Sequence, residues 1–277
     1  MKRSRSRFGL GLGWSAAVVF LFLYIPIAMV LVQSFNAAER GGRWGGFTTR
    51  WYFQLLDSPE KLAALKNTIL LAVASTAIST VLGSLLGYGL SRFDFPGRRL
   101  FSRLIVLPVV VPDIVMAIAM LLLFSLFREA FGLFQLGLGT MIVAHVTFQI
   151  PFVSLVVRSR LAGLDPAIEE AARDLGANAW DTFRHVTLPL MRPGVFAGAA
   201  LACTLSVDDF VVSFFTSGPG STTLPILIYS SVKRGITPDI NALSGLIVFA
   251  CVLGTIAVTL LQRPAAEREN PIPEQSP

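Results

Sequence analysis

Charge is scarce in this 277-residue chain, with Asp, Glu, Lys and Arg together making up 14% of it, where a soluble domain carries about 25%. That deficit excludes an ordinary water-facing globule and makes the bilayer the solvent to consider. Lysine is rarer still. Lys2, Lys61, Lys66 and Lys233 are the four present, and none follows glycine, so the Gly-Lys-Ser/Thr core of a phosphate-binding loop is missing. Histidine occurs at positions 145 and 185 alone, which excludes an H-E-x-x-H metal site. No other metal or hydrolase constellation is present. The two cysteines, Cys203 and Cys251, sit in apolar runs. They are too few for a disulfide framework and read as small packing residues. No internal repeat relates the two halves, which counts against a secondary transporter built on inverted repeats.

What is there is apolar: 53% hydrophobic residues and a mean hydropathy of +0.66. Crossing about 30 Å of hydrocarbon takes roughly 20 residues of helix. Six runs qualify: Trp14–Phe35, Asn67–Ser91, Leu104–Phe127, Leu138–Val157, Pro193–Thr216 and Ala242–Leu261. Runs of this length are helices rather than barrel strands, because a backbone in lipid must satisfy its own hydrogen bonds. Lys2, Arg3, Arg5 and Arg7 precede the first run, which is too long for a signal peptide's apolar region and lacks a clear cleavage site. It is expected to stay as an uncleaved span. The net charge of +6 is read as membrane orientation and not as nucleic-acid binding. With the N-terminus inside, the inner segments hold 15 Lys and Arg and the outer ones 8, so both termini are expected in the cytoplasm. The expected order is a cytoplasmic N-terminus (1–13), a six-span domain (14–261) and a disordered cytoplasmic tail (262–277). Pro26, Pro108, Pro112 and Pro151 fall within spans and are expected to kink or break them.

Between the fourth and fifth spans lies a polar segment, 158–192, too long for a simple connection. Asp165-Pro166 supplies a helix N-cap with proline following, and Gly176 a C-terminal stop. Asn178 with Asp181 reads as a second cap, and Pro189 as the end of that helix. Two short helices joined at Gly176 are therefore expected. Their mixed charge suits a protein groove better than a lipid surface.

This segment also carries a specific likeness. Glu170-Ala171-Ala172, then Gly176, then Val186-Thr187-Leu188-Pro189 resembles the EAA signature of ATP-binding-cassette importer permeases, with Val186 in place of isoleucine. The resemblance implies a type I importer permease fold, all-α with six membrane spans. It implies that 158–192 inserts between the lobes of a cytoplasmic ATPase dimer, with Glu170, Ala171, Ala172, Gly176, Leu188 and Pro189 as coupling residues. It further implies that the chain binds no cofactor, and that ATP is hydrolysed by the partner ATPase subunits. A second homologous permease and a periplasmic substrate-binding protein would complete the assembly in a bacterial inner membrane.

Three carboxylates lie inside spans: Asp113, Asp208 and Asp209. Each costs about 2.5–3.5 kcal/mol at a helix centre, so each calls for a partner, a cavity or a cationic cargo. Asp113 follows Pro112 and is alternatively a cap on a restarted helix. Asp208 and Asp209 would point about 100° apart on a helix, so only one of them squarely faces a pathway. His145 is expected to be a packing residue hydrogen-bonded to a neighbour, with a cavity-lining role as the alternative. Segments 34–36, 46–52, 112–118, 205–210, 217–219 and 238–243 resemble the spermidine/putrescine permease subunits. That likeness implies polyamine cargo, with Asp113, Asp208 and Asp209 as pathway candidates. Opines, aminophosphonates or amino-acid-like solutes remain alternatives. Less favoured are an ATP-independent transporter and an intramembrane aspartyl enzyme. The latter would need carboxylates converging from different helices.

Overall fold

The computed structural model describes residues 7–39, 43–235 and 237–266. The extreme ends of the expected N-terminal segment and tail, 1–6 and 267–277, lie outside the described residues. In chain order the helices are α1 (Arg7–Gln33), α2 (Arg50–Leu56), α3 (Pro59–Arg92), α4 (Arg98–Leu104), α5 (Leu107–Val110) and α6 (Asp113–Phe131). They continue with α7 (Leu138–Ala162), α8 (Ala167–Asp174), α9 (Ala179–Thr182), α10 (Leu188–Val207), α11 (Val211–Thr216), α12 (Leu224–Arg234) and α13 (Pro238–Ala266). No strand occurs among the described residues, beyond one isolated bridge between Asn36 and Phe47. Five stretches there are long and apolar enough to cross a membrane: Gly13–Gln33, Pro59–Arg92, Asp113–Phe131, Leu138–Ala162 and Ala179–Val207. The described apolar part of α13, Pro238–Leu253, is shorter.

Proline acts in two ways. Pro26 and Pro151 lie inside unbroken α1 and α7. At Pro112, by contrast, the chain breaks. Val111 is extended (φ −70°, ψ 133°) and α6 restarts at Asp113, because the proline ring clashes with a helical preceding residue. The third apolar run is thereby divided between α5 and α6. Pro189 departs from expectation, since it does not end the second loop helix. A five-residue π-turn, Phe183–Thr187, leads straight into α10. The wider turn absorbs the residue that lacks an N–H donor.

The chain forms two compact units, residues 1–59 with 230–277, and residues 60–229. In the first, α13 packs against α1 and α2. Buried Asn36 ties the loop between α1 and α2 together. Its Nδ2 donates to the Gln33 side chain (2.7 Å) and the Arg43 carbonyl (2.8 Å), and its Oδ1 accepts from Gly45 N–H at 2.8 Å. Trp51 Nε1 donates to its carbonyl at 2.7 Å. Phe35 stacks on Phe47 and meets the tilted ring of Tyr52, while the Ser34 and Tyr52 hydroxyls lie 2.7 Å apart. Segments 34–36 and 46–52 thus meet in one knot.

In the second unit α7 is the central helix, with Val153, Val157 and Leu161 fully buried. Glycines bring its neighbours close. A Cβ on Gly83 of α3 would stand 2.7 Å from Val153 Cβ, and one on Gly194 of α10 would stand 2.7 Å from Arg160 Cβ. Without a water-driven hydrophobic effect in lipid, this close backbone approach supplies much of helix association.

Candidate functional site

The polar loop builds up from its caps. Asp165 Oδ1 accepts the Ala167 N–H at 2.9 Å ahead of α8. At the other end Gly176 adopts φ +87°, a left-handed conformation that glycine enters without steric cost. The Gly176 N–H bonds the Arg173 carbonyl and the Ala177 N–H bonds the Ala172 carbonyl. That paired pattern is a Schellman stop. Asn178 Oδ1 then accepts the Asp181 N–H at 2.9 Å and opens α9.

Within α8 the two adjacent glutamates part company. Glu169 is 7% exposed, and its carboxylate accepts from Arg92 Nε at 3.0 Å, with Arg173 at 3.8 Å. Glu170 and Ala171 are exposed, as is Gly176, while Ala172 is partly covered. Next to them Leu175 is 90% exposed and Trp180 64%. A surface carrying Glu170, Asp174, Leu175 and Trp180 is therefore exposed, while Arg92 holds Glu169 on the covered side of α8. Leu188 packs into the core around Val157 and Met191, and the Tyr88 and Phe183 rings approach to 5.1 Å. Pro189 is half-buried at the start of α10.

The membrane acids occupy unlike settings. Asp113 is exposed in the first turn of α6, directly after the N-cap Pro112. Its capping role is therefore to place negative charge at the helix's positive end. Asp208 and Asp209 do not lie within one helix as expected, because α10 ends at Val207 and α11 begins at Val211. Asp209 turns inward. Its Oδ1 accepts from Val212 N–H at 3.2 Å and its Oδ2 from Ser213 N–H at 2.7 Å, so it caps α11. Asp208 is exposed at the break and has no ion pair among the described residues.

Asp209 also ends a buried polar chain. His145, 1% exposed, places Nε2 3.3 Å from Asp209 Oδ2 and 3.0 Å from Ser213 Oγ. Its Nδ1 lies 2.9 Å from Ser206 Oγ, which shares a hydrogen bond with Ser75 Oγ at 3.1 Å. Gln149 Nε2 donates to the Ala202 carbonyl at 3.1 Å, and Ser79 Oγ donates to Gln149 Oε1 at 2.9 Å. Side chains of α3, α7, α10 and α11 are thus joined by hydrogen bonds beside the break. His145 is the hydrogen-bonded packing residue that was expected.

Sequence reasoning missed Arg92, Glu169, Ser75, Ser79, Gln149, Ser206 and Ser213. A signal for some of them existed. Ser75 with Ser79, and His145 with Gln149, are polar pairs four residues apart on otherwise apolar helices, where such pairs share a face.

A family described as binding-protein-dependent transport system inner membrane component matches residues 79–267. The spermidine/putrescine transport system permease protein PotC of Escherichia coli (strain K12) is 41% identical over 237 residues, covering 86% of this chain and 88% of that protein. The putrescine transport system permease protein PotI of the same strain is 41% identical over 243 residues, covering 87% and 86%. Among solved structures, a bacterial alginate ABC transporter in complex with an alginate pentasaccharide-bound periplasmic protein is similar with a TM-score of 0.71. That match is 17% identical and covers 92% of this chain and 94% of the other. It shows the fold, that of type I ATP-binding-cassette importer permeases.

Proposed function

The chain belongs to the family of binding-protein-dependent transport system inner membrane components, and on that premise we propose that it is one permease subunit of an ATP-driven polyamine importer. The cargo class rests on one observation, the likeness over most of its length to two permeases named for spermidine and putrescine. The fold alone does not choose a cargo, since the alginate transporter shares it. Asp208, a carboxylate with no ion pair among the described residues, at the break between α10 and α11 supports a cation over an anion: in a low-dielectric setting an anionic solute would be repelled there.

In this reading six spans cross a bacterial inner membrane with both termini cytoplasmic, α13 supplying the sixth. A periplasmic binding protein delivers the polyamine. This chain and a second homologous permease enclose the route, and a dimeric ATPase grips the 158–192 loop. Glu170, Ala171, Leu175 and Trp180 are the contact surface, and their exposure supports that role. Gly176, Leu188 and Pro189 shape the loop and its joint with α10. This chain holds no nucleotide; its ATPase partners hydrolyse ATP. The pathway candidates are Asp208 and Asp113, with Asp209 held as a structural anchor.

The test is uptake of radiolabelled putrescine and spermidine by a strain lacking its own polyamine importers. That strain would express this chain with the permease, ATPase and binding protein encoded beside it. Saturable uptake that depends on ATP is expected. A cognate binding protein that binds no polyamine, with no polyamine uptake, would sink the cargo reading while leaving family membership intact.

A further inference from the structure

The short helix α4 has a composition unlike that of α8. It reads Arg98-Arg99-Leu100-Phe101-Ser102-Arg103-Leu104, three arginines and no acid, whereas α8 mixes both signs with Glu169, Glu170, Arg173 and Asp174. α4 buries none of its residues. Phe93, Phe95, Leu100, Phe101 and Leu104 are all exposed around it. Its position is also distinctive. It follows the end of α3 at Arg92 and lies near Arg158, in the last turns of α7, where two long apolar helices reach their polar ends.

A cavity of about 680 Å³ opens there, and Arg98, Arg99, Arg103 and Arg158 all line it. Asp94 is the one carboxylate on its wall. It is already engaged by Arg98, whose Nε also donates to the Leu90 carbonyl at 3.0 Å. Arg99, Arg103 and Arg158 make no ion pair among the described residues. Uncompensated guanidiniums beside exposed phenylalanine and leucine, at the depth where hydrocarbon gives way to water, match a phospholipid in both of its parts. The guanidinium fork fits phosphate oxygens, and the apolar side chains fit acyl chains. An acidic protein groove would match only the first part.

We propose that the pocket between α4 and the end of α7 binds the phosphate headgroup of an anionic phospholipid, whose acyl chains lie along the exposed apolar residues of 93–104. The proposal rests on the reading of α3 and α7 as membrane spans, and not on the identity of the cargo.

The intact transporter, this chain with its permease partner and ATPase, would be purified in mild detergent and examined by native mass spectrometry. It would also be reconstituted in bilayers of phosphatidylcholine alone, or with about one-third phosphatidylglycerol. The expected result is retained phosphatidylglycerol and ATPase activity several-fold higher in the anionic bilayer. The triple variant Arg99→Gln, Arg103→Gln, Arg158→Gln should lose both the retained lipid and the lipid dependence. Should the triple variant not assemble, Arg103→Gln alone should weaken lipid retention. Equal retention in wild type and variant would overturn the proposal. So would recovery of activity in phosphatidylcholine on adding inorganic phosphate, which would mark a free-anion site. Loss of the ATPase from an otherwise folded variant would overturn it too, by making the patch a protein contact. Lipid retention is read without any cargo, so its failure and a failure of polyamine transport are separate outcomes.

Discussion

Arg92, the last residue of α3, donates its Nε hydrogen to the carboxylate of Glu169 at 3.0 Å, with the two side chains 15% and 9% exposed. Among the described residues this is the ionic joint between a long apolar helix and the short helix that carries the EAA triplet. It fixes the rear of α8 and leaves Glu170 free on the front.

Replacing Arg92 with alanine leaves Glu169 as a covered charge with only the distant Arg173 nearby, a change of about 3 kcal/mol for a buried pair. The expected outcome is an assembled transporter whose ATP hydrolysis is no longer matched by uptake. The double variant Arg92→Gln, Glu169→Gln, with no stranded charge, should recover part of the coupling. The ratio of cargo moved to ATP hydrolysed, in proteoliposomes, is the measurement.

The two adjacent aspartates should separate by phenotype. Asp209→Ala removes the cap on α11 and the contact with His145. Loss of a cap of this kind costs about 1 kcal/mol, so a lower thermal midpoint in detergent is expected. Asp208 closes α10 through its backbone N–H alone, so Asp208→Asn should keep the midpoint while uptake of a dication falls severalfold. Equal midpoints and equal uptake in both variants would contradict the assignment.

On the front of the loop, Glu170→Lys reverses an exposed charge and Trp180→Ala removes an exposed ring. Both variants should insert and fold normally, yet retain less ATPase on co-purification. Gly176→Ala forces a Cβ into φ +87° and costs about 1–2 kcal/mol locally, with a smaller loss of coupling than Gly176→Pro. Co-purification yield and stimulated hydrolysis decide the order.

The glycine seams give a stability test. Gly83→Val drives carbon atoms against Val153, and overpacking of this kind costs about 1–3 kcal/mol. Gly89→Ala meets nothing within 4 Å and replaces a poor helix former, so it should stabilise α3 by up to about 1 kcal/mol. Thermal unfolding followed by far-ultraviolet circular dichroism in detergent should move in opposite directions for the two.

The caps of the loop were legible in sequence because each is a local device. Asp165, Gly176 and Asn178 act within three residues of themselves, and the structure uses all three. Pro189 misled because a proline read alone signals a stop, whereas a π-turn just upstream lets the helix pass. The inward choice of Glu169 over Glu170 depends on Arg92, 77 positions away, which no local rule supplies. Asp208 and Asp209 looked like neighbours on one helix because Val207 to Val211 carries no proline or glycine to announce a break. The interruption comes with Asp209 taking the amides of Val212 and Ser213. His145 was readable in kind, as a polar residue needing a partner in an apolar helix, but its partners lie on segments distant in sequence.

The π-turn that carries the chain past Pro189 has a mechanical consequence. Residues Ala179–Val207 form an unbroken helical stretch of 29 residues, about 40 Å of rod at 1.5 Å per residue. One tip bears Trp180, and just beyond the other stands Asp208. Under the proposed coupling, a stroke applied at the loop needs no relay of loosely joined parts. It would arrive beside Asp208 along one continuous helical stretch, whose hydrogen-bond ladder is altered at the π-turn and at Pro189 and Pro193, the places where such a shaft can give.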